Sequence, residues 1–486
     1  MEYKGNFIGG EWVIPKRGAK ALVSENPGDL DHPVGEILFS REAVQEAVSA
    51  AQGAFPRWSA LSERKRMDVL FRFRRILKQS EKHLALLITR EMGKTLKESQ
   101  AEADRLSTKI DTAKLYEMEL VRSTSHDLEK GVKGRLRFRP RGVIAILSPF
   151  NVPAHLACSP AISAMLTGNT VVLKPSELTP FVGQFLASLW KAAGLPQGVF
   201  NLVQGGAETG QALVSHPGVQ AVIFTGSWKT GLKIQEEIQN DPHKMGAFEM
   251  GGKNSAIICR DAELGQAVDE AVFGAFLTTG QRCNATSRIL VERPLAKKFV
   301  SLFLRRTEEL KIGYGEDPQV FMGPVVSKGA LERVSEFMQK APKEGFQVLR
   351  KGGELSYPKR GYYLKPSVHL REGEPASPVK DDTYTDDEIL GPDAAIYVVK
   401  NLEEALKINN RPHYGLVVSV FSRSRKNFEK VLREAENGLV HWNVSTVRSS
   451  PRLPFWGMKR SGNFRPAGFF TPYLCTVPTA SIEREW

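Results

Sequence analysis

The sequence predicts an α/β protein, because two long blocks of the chain alternate short apolar strands with amphipathic helices. The first block begins at Val143, and the second begins near Asn254 and continues beyond Val440. This alternation is typical of βαβ units, in which helices cover both faces of a parallel sheet. A chain of 486 residues is also too long for one simple core, so we expect two or three domains.

The segment before the first block is predicted to be mainly helical. Phe7 to Val13 indicates two short strands around a glycine turn, and apolar residues then recur at helical spacing. The predicted helices cover Ala43 to Trp58, Glu63 to Lys78 and a long stretch from Glu81 towards Glu117. From Arg135 the pattern changes to that of strands.

Strands and helices can be assigned to much of the two blocks. Val143 to Leu147 is apolar at every position, which indicates a strand buried on both faces. In the first block we predict further strands at 170–173, 198–203 and 221–224 and helices at 180–193 and 206–215. In the second block we predict a strand at 254–258, helices at 262–278, 294–310 and 402–408, surface loop and short strands over 353–387, and a last strand at 473–477.

The composition excludes several classes of protein. With 41% hydrophobic and 25% charged residues, the chain has the composition of a globular protein rather than a disordered or fibrous one. Prolines and polar residues interrupt the longest apolar region, Val143 to Leu166, so we predict no membrane span. The N-terminus lacks the profile of a signal peptide, and we therefore expect a cytoplasmic location.

Cysteine, histidine and net charge limit the possible partners. Cys158, Cys259, Cys283 and Cys475 lie far apart, and the nine histidines are dispersed, so we predict neither disulfides nor a metal site. The net charge of +13 fits either a solvated basic surface or a field that attracts small anionic substrates. Because Lys and Arg are spread along the chain, we predict no binding to nucleic acid.

Two polar segments lie where predicted strands end. Thr225-Gly226-Ser227 joins a strand to a helix, and the N–H groups of a helix start suit a phosphate, although such turns also serve only to change direction. Lys174 and Glu177 follow another strand, at the edge where open α/β sheets bind ligands. These two charges either hold the hydroxyls of a ribose or form a local ion pair.

The third polar segment carries Cys283. A lone cysteine is commonly a small core residue, but the flanks of Cys283, from Thr278 to Ser287, are too polar to suit a core. The neighbouring Arg282 would favour the thiolate over the thiol. Cys283 is therefore either a core residue or a reactive thiol, whereas the other three cysteines have apolar neighbours and are predicted to be structural.

Taken together, these segments resemble the aldehyde dehydrogenase superfamily over nearly the whole chain. Seven motifs occur in the order of that family. They are Pro149-Phe150-Asn151-Val152-Pro153, Leu173-Lys174-Pro175-Ser176-Glu177, Phe224-Thr225-Gly226-Ser227, Phe248-Glu249-Met250-Gly251-Gly252-Lys253-Asn254, Gly280-Gln281-Arg282-Cys283, Glu388-Ile389-Leu390-Gly391-Pro392 and Pro454-Phe455-Trp456-Gly457-Met458-Lys459-Arg460-Ser461-Gly462. Phe150, Leu390 and Trp456 depart from the Trp, Phe and Gly that are usual in the family.

The resemblance implies oxidation of an aldehyde with NAD. Cys283 would attack the aldehyde carbon, and the Asn151 amide with the Cys283 N–H would hold the resulting oxyanion. Hydride transfer to NAD would leave a thioester, which water activated by Glu249 would hydrolyse. Considered alone, Glu249 also fits a helix or strand cap.

The resemblance also implies an NAD site. Glu177 would accept both ribose hydroxyls and repel a 2′-phosphate, so we expect NAD rather than NADP. The residues that the resemblance assigns to the cofactor are Phe150, Lys174, Glu177, Gly226, Ser227, Glu388 and Leu390.

Several segments, among them Ser461 to Pro466, are similar to the branch of the family that oxidises N-succinylglutamate 5-semialdehyde in arginine catabolism. That substrate carries two carboxylates, which need cationic partners. Arg105 and Lys109 lie one helical turn apart on a helix that borders the substrate tunnel in this family. Arg448 and Arg452 fall in a loop that also faces the tunnel, and we predict that these four residues bind the substrate.

The family's architecture implies two Rossmann-like parallel-sheet domains and a small β arm. The NAD-binding domain would comprise 1–122 and 141–249, the catalytic domain 250–447, and the arm 123–140 and 464–486. Such arms add strands to a neighbouring subunit, so we expect a homodimer or homotetramer. Two alternatives stay open: a dehydrogenase for another semialdehyde or a neutral aliphatic or aromatic aldehyde, and a catalytically silent NAD-binding scaffold.

Overall fold

The computed structural model of the chain describes residues 2–15, 18–375, 377–464 and 467–484. The residues outside these ranges are Met1, Lys16 and Arg17 of the predicted NAD-binding domain, Ala376 of the predicted catalytic domain, and Arg465, Pro466, Glu485 and Trp486 of the predicted arm. Within them, helices cover two seven-stranded sheets that are largely parallel. The predicted α/β class is confirmed.

The bounds of the regular elements, in chain order and over the described residues, are as follows. The helices are α1 (Ala43–Ser59), α2 (Glu63–Met92), α3 (Leu96–Thr112), α4 (Pro153–Leu166), α5 (Pro180–Ala192), α6 (Ala207–Ser215), α7 (Trp228–Ile238), α8 (Leu264–Phe276), α9 (Arg293–Glu308), α10 (Lys328–Lys343), α11 (Leu402–Asn410), α12 (Arg425–Glu434) and α13 (Thr471–Leu474), with a π-helical turn at Ala113–Glu117 and 3₁₀ turns at Met118–Val121 and Leu277–Gly280. The strands are β1 (Asn6–Ile8), β2 (Glu11–Val13), β3 (Lys20–Ser24), β4 (Gly35–Phe39), β5 (Thr124–Glu129), β6 (Val132–Pro140), β7 (Val143–Leu147), β8 (Thr170–Lys174), β9 (Phe200–Leu202), β10 (Ala221–Thr225), β11 (Met245–Glu249), β12 (Asn254–Ile258), β13 (Thr286–Glu292), β14 (Gln347–Arg350), β15 (Gly353–Glu354), β16 (Leu364–Lys365), β17 (Ser367–Glu372), β18 (Asp393–Val399), β19 (Tyr414–Gly415), β20 (Val417–Phe421), β21 (Leu439–Trp442), β22 (Pro454–Phe455), β23 (Met458–Lys459), β24 (Ala467–Gly468) and β25 (Thr476–Arg484).

The first large sheet brings three predicted site segments to one edge. Its strand order is β11-β10-β7-β8-β9-β1-β2, and β7 to β11 run parallel. Thr225 at the end of β10 pairs with Glu249 at the end of β11, and Leu147 pairs with Lys174 at the end of β8. The carboxyl ends of these strands therefore form one edge, where α/β sheets bind ligands.

The second large sheet has the order β14-β17-β18-β13-β12-β20-β21, and only its edge strand β14 is antiparallel. The interpretation of 353–387 as surface loop and short strands was partly wrong. Within it, β17 pairs in parallel with β18 over six residues, and its first three side chains are buried. The many acidic and glycine residues that flank β17 concealed this strand.

Two helical predictions need correction. The predicted helices at Glu63–Lys78 and from Glu81 are one helix, α2, because no glycine or proline separates them. The break comes at Gly93, which has a φ of 87°, and Thr95 then starts α3 with a capping box. Helix α4 was not predicted, because it is buried over most of its surface and lacks an apolar stripe.

A separate three-stranded sheet, β25-β6-β5, joins the C-terminal end of the described chain to residues 124–140. The predicted strand at 473–477 was wrong in its start, because Pro472 suits the first turn of the short helix α13 and the strand begins at Thr476. We propose that this sheet is the predicted arm and that the two large sheets lie at the centres of the two predicted domains.

No helix in the described ranges is long and apolar enough to cross a membrane.

Helices α2 and α5 meet through a stack of Phe73 on Trp190, with ring centroids 3.5 Å apart. Phe73 is fully buried, whereas Phe71, two residues earlier on α2, is partly exposed. We expect Phe73→Ala to lower the free energy of unfolding by about 3–5 kcal/mol, because it leaves a cavity. Phe71→Ala is the matched control and should cost less. Urea midpoints measure both, and equal shifts would contradict this account of the packing.

Candidate active site

Lys174 and Glu177 lie at the carboxyl edge of the first large sheet. The Lys174 ammonium is buried and donates hydrogen bonds to the carbonyls of Pro175 and Gly205, at 2.8 and 2.7 Å. Glu177 lies 3.6 Å from this ammonium and is 46% exposed, so its carboxylate is open to a ligand. Burial lowers the pKa of Lys174, and the nearby Glu177 charge opposes this shift. The predicted ion pair exists, and one partner remains accessible.

Helix α7 begins at the same edge. The exposed Ser227 caps it by accepting a hydrogen bond from the Thr230 N–H at 3.2 Å, and the Gly226 N–H donates to the Glu249 carbonyl at 2.9 Å. The first N–H groups of a helix have no partner within the helix. With the positive end of the helix dipole, they suit an anionic group such as a phosphate.

Glu249 ends β11 as a buried carboxyl group. It is 3% exposed, and neither carboxyl oxygen has a hydrogen-bond partner among the described residues. Burial raises the pKa of Glu249 well above its ordinary value. The group therefore keeps its proton at a pH where an exposed glutamate has lost it, and it is available to exchange a proton with a neighbouring molecule.

A strained turn precedes Cys283. Thr278 and Thr279 both have a φ of 57°, and Gly280 follows with a φ of 70°. A Cβ on Gly280 would lie 2.1 Å from the Gly391 carbonyl, so only glycine fits there. Three consecutive residues in the left-handed region are costly and need support from the surrounding structure. Gln281 supplies part of it, since its side chain accepts from the Val326 N–H at 2.8 Å.

Cys283 is partly exposed, whereas Cys158, Cys259 and Cys475 are buried, as expected for structural cysteines. The surroundings raise the pKa of the Cys283 thiol through burial and then through the charges of Glu249 and Glu388. The charge of Arg282 lowers the pKa of Cys283, as predicted, but burial and the charges of the two carboxyl groups outweigh this effect.

Asn151 lies just before α4 and faces the Cys283 segment. Its side-chain amide donates a hydrogen bond to the Gln281 carbonyl at 2.9 Å, and its Oδ1 has no partner among the described residues. A Cβ on Gly252 would lie 2.7 Å from the Cys283 carbonyl, so the turn after Glu249 also packs closely against this segment. The structure thus brings together the three residues that the resemblance made catalytic.

Glu388 and Leu390 lie beside the same turn. Glu388 accepts a hydrogen bond from the Gly252 N–H at 3.0 Å, and burial raises the pKa of Glu388 to about 7. Leu390 has a φ of 58°, a conformation that side chains other than glycine adopt rarely. Phe150 is partly exposed next to Asn151. Both the cofactor candidates and the catalytic candidates therefore border one site.

A cavity of about 520 Å³ borders this site at Arg282, the residue before Cys283. Two of the four predicted substrate residues, Arg105 and Arg448, line it. The prediction for Lys109 is corrected by the structure: its ammonium is 1% exposed and pairs with the buried Glu117, so it does not reach the cavity. Arg452 lies 5.2 Å over the Tyr116 ring and is not among the lining residues.

Sequence analysis did not assign four further basic residues to this cavity, Lys94, Lys97, His155 and Arg282, and Glu98 and Glu102 also line it. Arg282 comes close enough to Arg105 for its charge to lower the pKa of that guanidinium, in addition to burial. Burial and the charges of Arg105, Lys109 and Lys94 lower the pKa of His155 to about 3, so its ring is neutral. The motif Gly280-Gln281-Arg282-Cys283 already placed Arg282 beside the thiol, which was the available signal.

No group of residues able to hold a metal ion occurs in the part of the chain that the structure describes.

Comparison with known proteins agrees with this geometry. The model of the aldehyde dehydrogenase family matches residues 12–473. The chain belongs to the aldehyde dehydrogenase family. It is 34% identical over 487 residues to the N-succinylglutamate 5-semialdehyde dehydrogenase of Escherichia coli O9:H4 (strain HS), covering 99% of this chain and 95% of that relative.

Solved structures of family members share the fold. The NAD-dependent aldehyde dehydrogenase from Sinorhizobium meliloti superposes with a TM-score of 0.92 at 28% identity, covering 99% of this chain and 94% of that one. An NADP-dependent enzyme of E. coli superposes with a TM-score of 0.91 at 28% identity, covering 99% and 98%. The predicted aldehyde dehydrogenase fold is confirmed, and its solved relatives include enzymes for both cofactors.

The raised pKa of Cys283 predicts how its alkylation depends on pH. Iodoacetamide reacts with the thiolate, which forms only as the pH approaches a pKa above the ordinary value. The rate at Cys283, followed by mass spectrometry, should therefore keep rising through pH 9. The variant Cys283→Ser is the control and should take up no label while folded, because the other cysteines are buried. A rate that levels off near pH 7 would contradict the raised pKa.

Proposed function

We propose that this protein oxidises an aldehyde to a carboxylate with NAD through an acyl group carried on Cys283. The observation that supports this most is the partly exposed thiol of Cys283, flanked by the unpaired carboxyl group of Glu249 and the amide of Asn151. A nucleophile, a proton acceptor and a hydrogen-bond donor are the three groups that acyl transfer needs.

In the first step the Cys283 sulfur forms a bond to the aldehyde carbon, and the carbonyl π electrons move to the oxygen. The Asn151 amide, which already points at the Gln281 carbonyl of this segment, donates a hydrogen bond to that oxyanion together with the Cys283 N–H. Losing one donor of this kind costs about 3 kcal/mol of activation free energy. The Cys283 proton passes to solvent as the bond forms, and because the pKa of the thiol is raised, this loss becomes favourable only as the pH rises.

The edge of the first large sheet at Lys174, Glu177 and the start of α7 suits a dinucleotide, because it combines an accessible carboxylate with the N–H groups of a helix start. NAD bound there would supply the acceptor for the hydride that leaves the carbon on Cys283, so that a thioester remains. Glu249 then removes a proton from water, which adds to the thioester and releases the carboxylate and the thiol. Because burial raises its pKa, Glu249 becomes an effective base only as the pH rises through that elevated value.

We favour NAD over NADP because the carboxylate of Glu177 is accessible to a ligand at this edge of the sheet. A carboxylate there can accept hydrogen bonds from both hydroxyls of an adenosine ribose, and its charge repels a 2′-phosphate. The Lys174 ammonium is committed to the Pro175 and Gly205 carbonyls, which leaves it poorly placed to neutralise an added phosphate. Solved relatives with the same fold use NAD or NADP, so the side chains of the site, and not the fold, would decide between the two cofactors.

We further propose that the substrate is an anionic semialdehyde, N-succinylglutamate 5-semialdehyde or one of similar charge. Arg105, Arg282 and Arg448 line the cavity beside Cys283. Arg448 lies 3.2 Å from Glu270, and the Arg282 guanidinium lies 3.7 Å from Glu98, but no carboxylate pairs with Arg105 among the described residues. The E. coli relative named for the succinylated substrate supports this choice.

The remaining proposals concern assembly and location. The arm sheet ends in two free edges, β25 and β5, and β25 exposes Val477 and Ile482. An exposed strand edge with apolar side chains pairs readily with another chain, so we propose a homodimer or homotetramer joined through the arm. Four free cysteines fit a reducing compartment, and we propose the cytoplasm.

Replacing the two central residues tests the reaction. Cys283→Ala should show no oxidation of any aldehyde, whereas Glu249→Gln should release about one NADH per active site and then stop, because the thioester forms but is not hydrolysed. Stopped-flow absorbance at 340 nm records both. Undiminished steady turnover of Glu249→Gln, or oxidation by Cys283→Ala, would contradict the proposed roles. Wild-type protein that binds NAD but oxidises no aldehyde would favour the silent scaffold.

A comparison of substrates tests the anionic pocket. We expect kcat/KM for N-succinylglutamate 5-semialdehyde to exceed that for an uncharged aldehyde of similar length by more than tenfold, which corresponds to about 1.4 kcal/mol. Arg105→Met should reduce this preference by raising KM for the anionic substrate alone. The control is Arg75→Met, which removes an equal charge from the exposed face of α2. A smaller wild-type preference would favour a neutral aldehyde as the substrate.

A further inference from the structure

A second group of charged residues lies next to Asn151, in the wall of the cavity that Arg105 and Arg282 line. Lys94, in the turn between α2 and α3, forms an ion pair with Glu102 in the second turn of α3. Their side chains are 1% and 4% exposed. Removing two charges from water is costly, so such a pair needs further partners.

Those partners belong to the segment that carries Asn151. The Lys94 ammonium donates a hydrogen bond to the Asn151 carbonyl at 3.1 Å. Glu102 accepts hydrogen bonds through Oε1 from the N–H groups of Ala154 and His155, at 2.8 and 2.9 Å. These N–H groups belong to the first turn of α4, where they have no partner within the helix. The ion pair therefore holds the backbone from the Asn151 carbonyl to the first turn of α4.

The same face of α3 also reaches the Cys283 segment. Glu98, one helical turn before Glu102, accepts a hydrogen bond from the Thr278 hydroxyl and lies 3.7 Å from the Arg282 guanidinium. Arg282 in turn donates to the Thr278 hydroxyl at 2.6 Å. One helix face thus holds the two segments that meet where Asn151 donates to the Gln281 carbonyl.

We propose that Lys94 and Glu102 are positioning residues that fix the Asn151 amide relative to the Cys283 sulfur. This inference rests on the proposed function, because it assigns a role in holding the oxyanion on Cys283. A buried ion pair adds little net stability, whereas a shift of about 1 Å in a catalytic group costs about a hundredfold in rate. The pair accordingly acts through the geometry of Asn151; both residues also contribute to the wall of the cavity that Arg105 lines, but their side chains are only 1% and 4% exposed.

The chain provides a matched control on the same helix. Lys109 and Glu117 form another buried pair, with exposures of 1% and 0%, and Glu117 accepts from Ser163 of α4. This pair contacts neither the Asn151 backbone nor the Cys283 segment in the described structure. The test compares Lys94→Met/Glu102→Gln with Lys109→Met/Glu117→Gln, because each double variant removes one buried pair without leaving a lone charge.

The assay is oxidation of N-succinylglutamate 5-semialdehyde with NAD by the full chain, in the wild-type and Asn151→Ala backgrounds. We expect Lys94→Met/Glu102→Gln to lower kcat at least tenfold, with less than a twofold change in KM for NAD. In the Asn151→Ala background the same pair of substitutions should change kcat less than threefold, because the positioned amide is already gone. The control pair should keep kcat within threefold of wild type in both backgrounds, whatever it does to the melting temperature.

Three results would overturn the proposal: unchanged kcat in the Lys94/Glu102 variant, an equal loss in both backgrounds, or an equal loss in the control pair. If the double variant does not fold, the single variant Lys94→Arg provides the test. It keeps the positive charge but changes the position of the hydrogen-bond donor. It should lower kcat severalfold at an unchanged melting temperature, and wild-type kcat would refute positioning. Wild-type protein without activity on any aldehyde is a different outcome, since it refutes the proposed function itself.

Discussion

The arrangement of the site depends on the burial of a carboxyl group that nothing in the described structure satisfies. Both oxygens of Glu249 lack a hydrogen-bond partner, and an unsatisfied buried polar group costs about 1–3 kcal/mol. The charged form would cost more, so the group retains its proton and its pKa rises. A fold does not keep such a group for stability. The cost is understandable if a water molecule or a substrate oxygen becomes the missing partner during the reaction.

The same constraint explains the state of the thiol. The charges of Glu249 and Glu388 add to the effect of burial on the pKa of Cys283. Ionisation of either carboxyl group therefore disfavours the thiolate, which couples the titration of the thiol to theirs. A cation brought close to the sulfur, such as a nicotinamide ring, would shift this balance towards the thiolate. The protein without its cofactor therefore protects a thiol that the complete site can activate.

The sequence was sufficient for the fold class and for strands such as β7, β8 and β10, and it singled out Cys283, because these features leave local patterns. Val143–Leu147 is apolar throughout, and Cys283 stands among polar neighbours. It was insufficient where the outcome depends on distant contacts. Arg105 and Lys109 share a helical spacing, yet one lines the cavity and the other pairs with Glu117. Likewise, the left-handed backbone at Thr278 and Thr279 carries no signature, because threonine rarely adopts it.

Helix α3 shows how one element can carry ion pairs of different purpose. Lys94–Glu102 and Lys109–Glu117 are equally buried, are both separated by eight residues, and both reach α4. Of the two pairs, only Lys94–Glu102 binds the backbone around Asn151. The cavity lined by Arg105 and Arg282 lies at the same end of the helix. Two guanidinium groups close enough to perturb each other repel, and a carboxylate between them would relieve that repulsion. The end of α3 that would order the oxyanion donor is thus also the end that borders the cavity proposed for an anionic substrate.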